Sequence, residues 1–407
     1  MSSKIIVGLD IGTTKICAVV GEVRPDGVEI IGMGTHPSEG LRKGVVVNIE
    51  NTVNSIKEAV EEAEIMAGCE ISSVYTGIAG GHIDSTKSYG IIPMKGKEIT
   101  KKDLDRVIES ATTINIPMDR EVLHTLVQDY IVDGQEGIID PLGMSCTRLE
   151  ANVHIVTGAV ASAQNIIKCA NRAGLDVADI VLQPIASSET VLSKEESNLG
   201  AAIIDFGGGT TDMAVFSKGT IKYTSVLALG GDNLTYDLTV GLRTPKLEAE
   251  KIKIKYGCAL TSMIGPDDVI EVPSVGDRKS RPLSRQIIGE ILEPRVEEIF
   301  SMLYTDLERS GYSSFINAGV ILTGGSSELE GITEMAEQIF DVPARIGYPS
   351  NILGLVDVVN RPMYATAVGL VLYGAKMREI STKFKIRDNN IFSRVFGSMK
   401  HWFKEII

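Results

Sequence analysis

The sequence predicts an α/β protein with two related lobes around a cleft. It adds a small α+β subdomain inserted into the first lobe and an amphipathic helix at the C-terminal end. Three observations carry this expectation. A turn motif recurs, as DIGTTK at 10–15 and DFGGGTTD at 205–212, each time after an apolar strand and before another. Strand-like and helical periods alternate around both copies, the mark of layered α/β folds. The chain has 407 residues, more than one core usually organises.

Composition narrows the class. An apolar content of 43% and a mean hydropathy of +0.12 describe an ordinary packed protein. The formal charge of −13 argues against a nucleic-acid partner, because phosphate backbones are bound by Lys and Arg. Five cysteines (17, 69, 146, 169, 258) make no CxxC pair and no Cys/His metal spacing. Free thiols in a reducing compartment are the expectation. MSSK leads directly into a strand, with no secretion signal. No run reaches the roughly 18 apolar residues of a spanning helix. The chain is therefore expected on the cytoplasmic side.

Strands are expected at IIVGLD, ICAVVGEV, VEIIGMGTH and GVVVNI, and again at SSVYTGIAGG. Between them, residues 50–67 place Val53, Ile56, Val60, Ala63 and Ile65 near helical spacing. The segment 84–162 changes character. Thr100 followed by Asp103 resembles a capping box, and Leu104, Val107, Ile108 and Ala111 share the face of the helix it opens. EVLHTLVQDYIV and RLEANVHIVTG read as strands after it. AQNIIKCANRAG resumes the helical pattern, residues 232–300 are more helical and charged, and ILTGGSSELEGITEMAEQIF reads as strand, Gly turn, helix. RPMYATAVGLVLYGAK is a helix of small residues, and STKFKIRDNN, from 381, is a polar linker. EAVEEAE reads as a solvated helix face, and His36, His82, His124 and His154 have no metal-like spacing.

The repeated hairpin suggests a chemistry. A tight Gly turn presents consecutive backbone N–H groups to an anion, Thr hydroxyls add donors, and Lys15 offers a point charge to phosphate. Asp10 and Asp205 would repel phosphate unless a hard cation such as Mg²⁺ lay between them, held mostly through water. Two such hairpins facing each other would clasp a phosphate chain. No GxxxxGK[ST] occurs, and each turn leads into a strand, so this is not a Walker A loop. TGGSSELEG at 323–331 adds two glycines between strand and helix, where a flat ligand can approach the backbone.

These motifs resemble the actin-like ATPase superfamily. The resemblance implies ATP and Mg²⁺ as ligands. Asp10, Gly12, Thr13, Thr14 and Lys15 would form the first phosphate loop, and Gly207, Gly208, Gly209, Thr210 and Thr211 the second. Gly324, Gly325 and Ser326 would serve the adenosine, with Glu250 and Lys253 of EAEKIKIKYG at the base and ribose, and Gly231 would also bind the nucleotide. Asp10 and Asp205 would hold the metal. Gln183 of VLQPIASSE falls where such proteins keep a water-orienting Gln on a connecting helix, and PMYATAVGLVLYG resembles the second connecting helix.

Four further stretches, GMSCTRLEANVHIVTG, YGCALTSMIGPDDVIEVPSVG, VILTGGSSELEG and RIGYPSNILGLVD, are similar to the FtsA family of bacterial cell-division proteins. That resemblance covers essentially the whole chain. It implies a first lobe core at 1–83 and 163–198 with 363–380 returning to it, and an inserted subdomain at 84–162. The second lobe core would be 199–231 and 301–362, with a subdomain at 232–300, a linker at 381–390 and a terminal helix at 391–407. It further implies polymerisation with copies of itself and tethering of FtsZ to the cytoplasmic face of the inner membrane at the division site. The FtsZ C-terminal peptide would bind 232–300, where Arg281 and Arg285 of a basic segment suit an acidic partner, and later division proteins would follow. Two readings stay open on the same fold, a sugar kinase and a pilus-assembly adaptor. The tail distinguishes the leading reading from both.

That tail stands without the family. On a helix of about 100° per residue, Ile391, Phe392, Val395, Phe396, Met399, Trp402, Phe403, Ile406 and Ile407 fall within one arc of roughly 160°. Arg394, Lys400, His401, Lys404 and Glu405 take the other side. Bulky apolar residues opposite bases describe a helix lying in the surface of an anionic membrane. Each bulky side chain could contribute about 1.5–3 kcal/mol if fully buried, against an ordering cost on the order of 1 kcal/mol per residue. One tail therefore binds weakly, and an array of tails binds by avidity. Trp402→Glu places a charge inside the apolar arc at a cost of several kcal/mol. It should release the protein from anionic liposomes in a sedimentation assay. Trp402 is the chain's one Trp, so its emission in the parent should shift to the blue on adding vesicles. An unshifted spectrum, with Trp402 already shielded from quencher in free protein, would refute membrane docking.

Overall fold

Two sheets of matching topology organise the chain. The structure, a computed structural model, describes residues 4–274 and 279–383. In the first sheet Lys4–Ile11, Lys15–Arg24 and Gly27–Pro37 form an antiparallel meander. Ser73–Ile78 and then Asp176–Leu182 join the free side of Lys4–Ile11 in parallel. In the second sheet Ala201–Phe206, Thr211–Ser217 and Thr220–Leu227 make the same meander, extended in parallel by Gly319–Thr323 and Ala344–Ile346. The first sheet gains one short edge strand, Leu353–Gly354, beside Gly27–Pro37. Both lobes thus repeat one plan. The central strands are near-continuous apolar runs because helices cover both faces of each sheet.

Helix Ile49–Ala67 covers one face of the first sheet, burying Val53, Ile56, Ala59, Val60 and Ala63 against Leu9, Ile16, Ala18 and Val20. Asn48 caps it by accepting from the Asn51 N–H at 3.1 Å, and Gly68 ends it in the left-handed region. Two helices run between the sheets, Gln183–Val191 and Ala365–Lys383. Their shared core includes Leu182, Ile185, Ala186, Ala201, Ile203, Ile321, Leu370 and Tyr373. They cross closely: a Cβ at Gly369 would stand 1.8 Å from the Ala186 carbonyl oxygen.

The inserted unit is a four-stranded sheet in the order Asp84–Glu98, Ser145–Ala159, Arg120–Val132, Gln135–Ile138, with helix Lys101–Thr112 on one face. The Asp103 carboxylate accepts from the Thr100 N–H at 3.1 Å and from its hydroxyl at 2.6 Å, so the cap read from sequence forms. In the second lobe, Gly231–Leu242, Lys246–Tyr256 and the 25-residue Gln286–Ser310 build a helical flank around Leu238, Ile252, Leu292 and Ile299.

Three differences from the sequence reading have physical causes. GVVVNI is no full strand. Only Val45–Val46 pairs, with Leu41–Arg42, because Asn48 is already taken as the cap of the following helix. Asp84–Glu98, a 15-residue strand, is hidden in sequence by its Ser, Lys, Gly and Pro content. The last helix continues to Lys383, so its final turn occupies the start of the expected linker. The amphipathic tail 391–407 lies outside the described residues. Among those described, no helix is long and apolar enough to cross a membrane.

The crossing at Gly369 gives a direct test. Gly369→Ala should lower the urea midpoint by the equivalent of about 1–3 kcal/mol through overpacking, and an unchanged midpoint would refute the closeness of the two connecting helices.

Candidate functional site

The two recurring motifs meet. In each, Asp is the next-to-last residue of a central strand and a glycine follows the strand. The turns close alike. Gly12 N–H donates to the Lys15 carbonyl and Gly207 N–H to the Thr210 carbonyl, both at 3.0 Å. This register sets Thr13 and Thr14 as counterparts of Gly208 and Gly209. The tips also touch. A Cβ at Gly208 would lie 2.6 Å from Thr14 Oγ1, and one at Gly209 would lie 2.3 Å from Thr13 Oγ1. The second hairpin is glycine-rich because the first one's threonines pack against it across the lobe boundary.

Charge is concentrated behind the tips. Asp10 and Asp205 are both buried. Asp10 accepts from Lys15 Nζ at 3.3 Å and from Gln183 Nε2 at 3.1 Å. Asp205 accepts from the Thr366 hydroxyl at 2.8 Å. Burial pushes the Asp205 carboxyl up to about 6, the Thr366 hydrogen bond opposes this, and the charge of Asp10 adds to it. Asp212, opposite Asp205 in the strand register, is a third carboxylate of this group. Burial and then the charge of Asp205 hold it well above the usual range. Thr210 satisfies its Oδ2 at 2.8 Å, while its buried Oδ1 has no partner. An orphaned carboxylate oxygen among three neighbouring acids suits a hard cation. Among the described residues no three side chains converge as direct metal ligands, so such a cation would draw on water and phosphate oxygens.

The remaining wall comes from the second lobe. The N-terminus of Gly231–Leu242 donates from Gly231 N–H to the Gly207 carbonyl (2.9 Å) and from Asp232 N–H to that of Gly208 (2.7 Å). Ser326 Oγ also donates to the Gly207 carbonyl, at 3.1 Å. Lys253 Nζ bridges Glu250 (2.8 Å), the Thr235 hydroxyl (2.9 Å) and the Gly231 carbonyl (3.1 Å). Gly324 has φ +83°, and a Cβ there would stand 2.4 Å from Asp205 Oδ1. Its glycine therefore serves approach to the acid rather than to a flat ligand. The resulting cleft, about 200 Å³, is lined by Asp10, Gly12–Lys15, Gln183, Asp205, Gly207–Thr210, Glu250, Lys253 and Gly324–Ser326. It adjoins a hollow of about 650 Å³ that shares Lys253, Ile254, Gly325, Ser326, Glu328 and Arg361 and adds Tyr348.

Not every expected residue reaches the cleft. The Thr211 hydroxyl turns away to the Leu229 carbonyl at 2.8 Å, because strand alternation points it inward. Gly231 stands behind Ser326 and Lys253. Arg285 is engaged within the fold by the Tyr256 carbonyl, Asp268 and Glu330, which leaves it little free charge for a partner. Arg281 donates to the Leu242 carbonyl at 2.6 Å and is otherwise exposed. Sequence reasoning missed Asp212, Thr366, Arg361 and Gly44 as lining or supporting groups. Only Asp212 carried a signal, as the last residue of the second motif. The buried His124 accepts from the Leu182 N–H at 2.9 Å, a structural role.

Comparison with known proteins adds family information. A family model described as "Cell division protein FtsA" matches residues 202–369, and one described as "SHS2 domain inserted in FTSA" matches 80–157. The chain is similar to the cell division protein FtsA of Pseudomonas aeruginosa, at 50% identity over 98% of each chain. It is 40% identical to that of Escherichia coli K12 over 99% of this chain and 96% of the other. Among solved structures, a PilM–PilN type IV pilus biogenesis complex aligns at TM-score 0.67 and 18% identity, covering 91% of this chain and 98% of the other. MreB 5 of Spiroplasma citri bound to AMPPNP aligns at 0.59 and 15%, covering 93% and 98%. These two show the actin-like fold.

The acid cluster predicts a pH dependence. The folded value of Asp205, about 6, lies above its ordinary 3.8. Its contribution is therefore complete below the ordinary value and is lost as pH rises through about 6. Without ligand, Asp205→Asn should unfold at higher urea than the parent at neutral pH, by up to about 2–3 kcal/mol, with the two converging in acid. Parallel curves across that range would refute the assignment.

Proposed function

The chain belongs to the FtsA family of cell-division proteins, and from that premise we propose that it is an ATP-binding, filament-forming adaptor. It ties FtsZ filaments to the cytoplasmic face of the inner membrane at the division site and helps bring in later division proteins. The observation that carries the nucleotide reading is the meeting of two Asp-Gly hairpins, one from each lobe, over a buried acid cluster.

In this reading Lys15, the Thr13 and Thr14 hydroxyls and the backbone N–H groups of 207–210 bind phosphate oxygens. Asp10 and Asp205 hold Mg²⁺ largely through water, and that ion neutralises phosphate charge. Glu250, Lys253, Gly325 and Ser326 face the nucleoside side, with the larger hollow beside them. Gln183, fixed against Asp10, is placed to orient a water. The terminal helix 391–407 supplies the lipid contact, and the flank 232–300, with Arg281, supplies the surface for the FtsZ C-terminal peptide.

Calorimetry and vesicle recruitment test these parts separately. The parent should give saturable heat with ATP and Mg²⁺. Gly209→Glu, which drives a side chain into Thr13 and a carboxylate into the phosphate site, should give none while keeping its circular dichroism. On anionic vesicles the parent should recruit FtsZ, whereas Arg281→Glu should still bind vesicles and recruit less. Undiminished ATP heat in Gly209→Glu would overturn the nucleotide assignment, and undiminished recruitment by Arg281→Glu would overturn that of the peptide surface.

A further inference from the structure

The short hairpin at 41–46 turns at Lys43 and Gly44, both left-handed (φ +51° and +76°). Gly44 lines the cleft, and its N–H donates to Thr13 Oγ1 at 2.9 Å. That bond occupies one lone pair of the Thr13 hydroxyl. With that lone pair accepting from Gly44, the hydroxyl proton is directed away from the turn and is free to donate into the cleft. A donor is what a phosphate oxygen requires.

The far side of the same turn leans on the root of the inserted subdomain. A Cβ at Gly44 would stand 3.0 Å from Gly80 Cα and 3.1 Å from the Ala79 carbonyl. A Cβ at Gly80 would in turn stand 3.3 Å from the His82 ring. His82 Nδ1 accepts from the Ala159 N–H at 3.4 Å. Asp84 begins the first strand of the insert and Ala159 ends its last, so His82 links the two chain crossings that join the insert to its lobe. The residue is half-buried, and its buried Nε2 has no partner. Burial lowers its pKa from 6.5, which leaves it neutral at physiological pH. Gly81 meanwhile abuts Ala228, just beyond the edge strand of the second lobe.

We propose that the Lys43–Gly44 turn is a positioning element of the phosphate site, holding Thr13 as a donor toward bound nucleotide and linking that donor, through Gly80 and His82, to the root of the inserted subdomain. The inference rests on the nucleotide reading and adds to it a route by which occupancy changes the insert. Coupling of this kind needs two sites and a contiguous element both can bias, and the turn is such an element.

Hydrogen exchange of the full chain, with ATP affinity measured in parallel, tests it. Saturating ATP and Mg²⁺ should slow exchange of 79–84 and 157–160 in the parent by about fivefold or more, the low end of usual coupling between sites. His82→Ala should bind ATP as the parent does and lose that protection. Thr13→Val should lose it as well, and Thr13→Ser, which keeps the hydroxyl, should restore it. Absence of ATP binding in the parent would overturn the nucleotide reading and this inference together. ATP binding without protection at the root, or protection unchanged in His82→Ala, would overturn the inference alone.

Discussion

Asp10 and Asp205 belong to different sheets, yet they are buried side by side with Asp212, and Lys15 brings positive charge to Asp10. Like charges withdrawn from water repel strongly, so this arrangement exists only because something else holds the lobes together. The two connecting helices do so, through a core that runs from one sheet to the other. The hairpins, the glycines that let their tips touch and the helix N-terminus behind Gly207 and Gly208 all gather around these three acids. The site works against local stability and is supported by packing elsewhere.

The elements with strong periodicity or clear caps were legible in sequence. Both hairpins, helix Ile49–Ala67 and the Thr100–Asp103 cap lie where residue spacing puts them. Most of the cleft was legible too, because its residues cluster in three short motifs. The illegible parts have long-range causes. Asp84–Glu98 is a strand because Ser145–Ala159 pairs with it along its length, which its own composition does not announce. Thr366 reaches Asp205 from a distant helix, and Gly44 reaches Thr13 from a neighbouring turn. Thr211 and Arg285 show the converse. Their types suited the expected roles, but strand alternation turned one inward and intramolecular ion pairs engaged the other.

Duplication explains why the site is bipartite. Each lobe contributes a strand with Asp next to its end and a turn closed by the same backbone bond, and neither half encloses the cleft alone. The asymmetries then assign tasks. The first hairpin carries the lysine and the paired hydroxyls, the second the bare backbone, and the glycines of the second accommodate the threonines of the first. The insert and the helical flank grow from opposite lobes, so both sit on bodies that share one cleft.

Helix Ala365–Lys383 has one further property. Near its start, Thr366 holds Asp205 of the second lobe. Further along, Tyr373 donates to the buried Asp179 of the first, at 3.2 Å. It is also the last helix among the described residues. Sliding or turning of this helix between the lobes would therefore strain a hydrogen bond to a buried acid of each lobe at once.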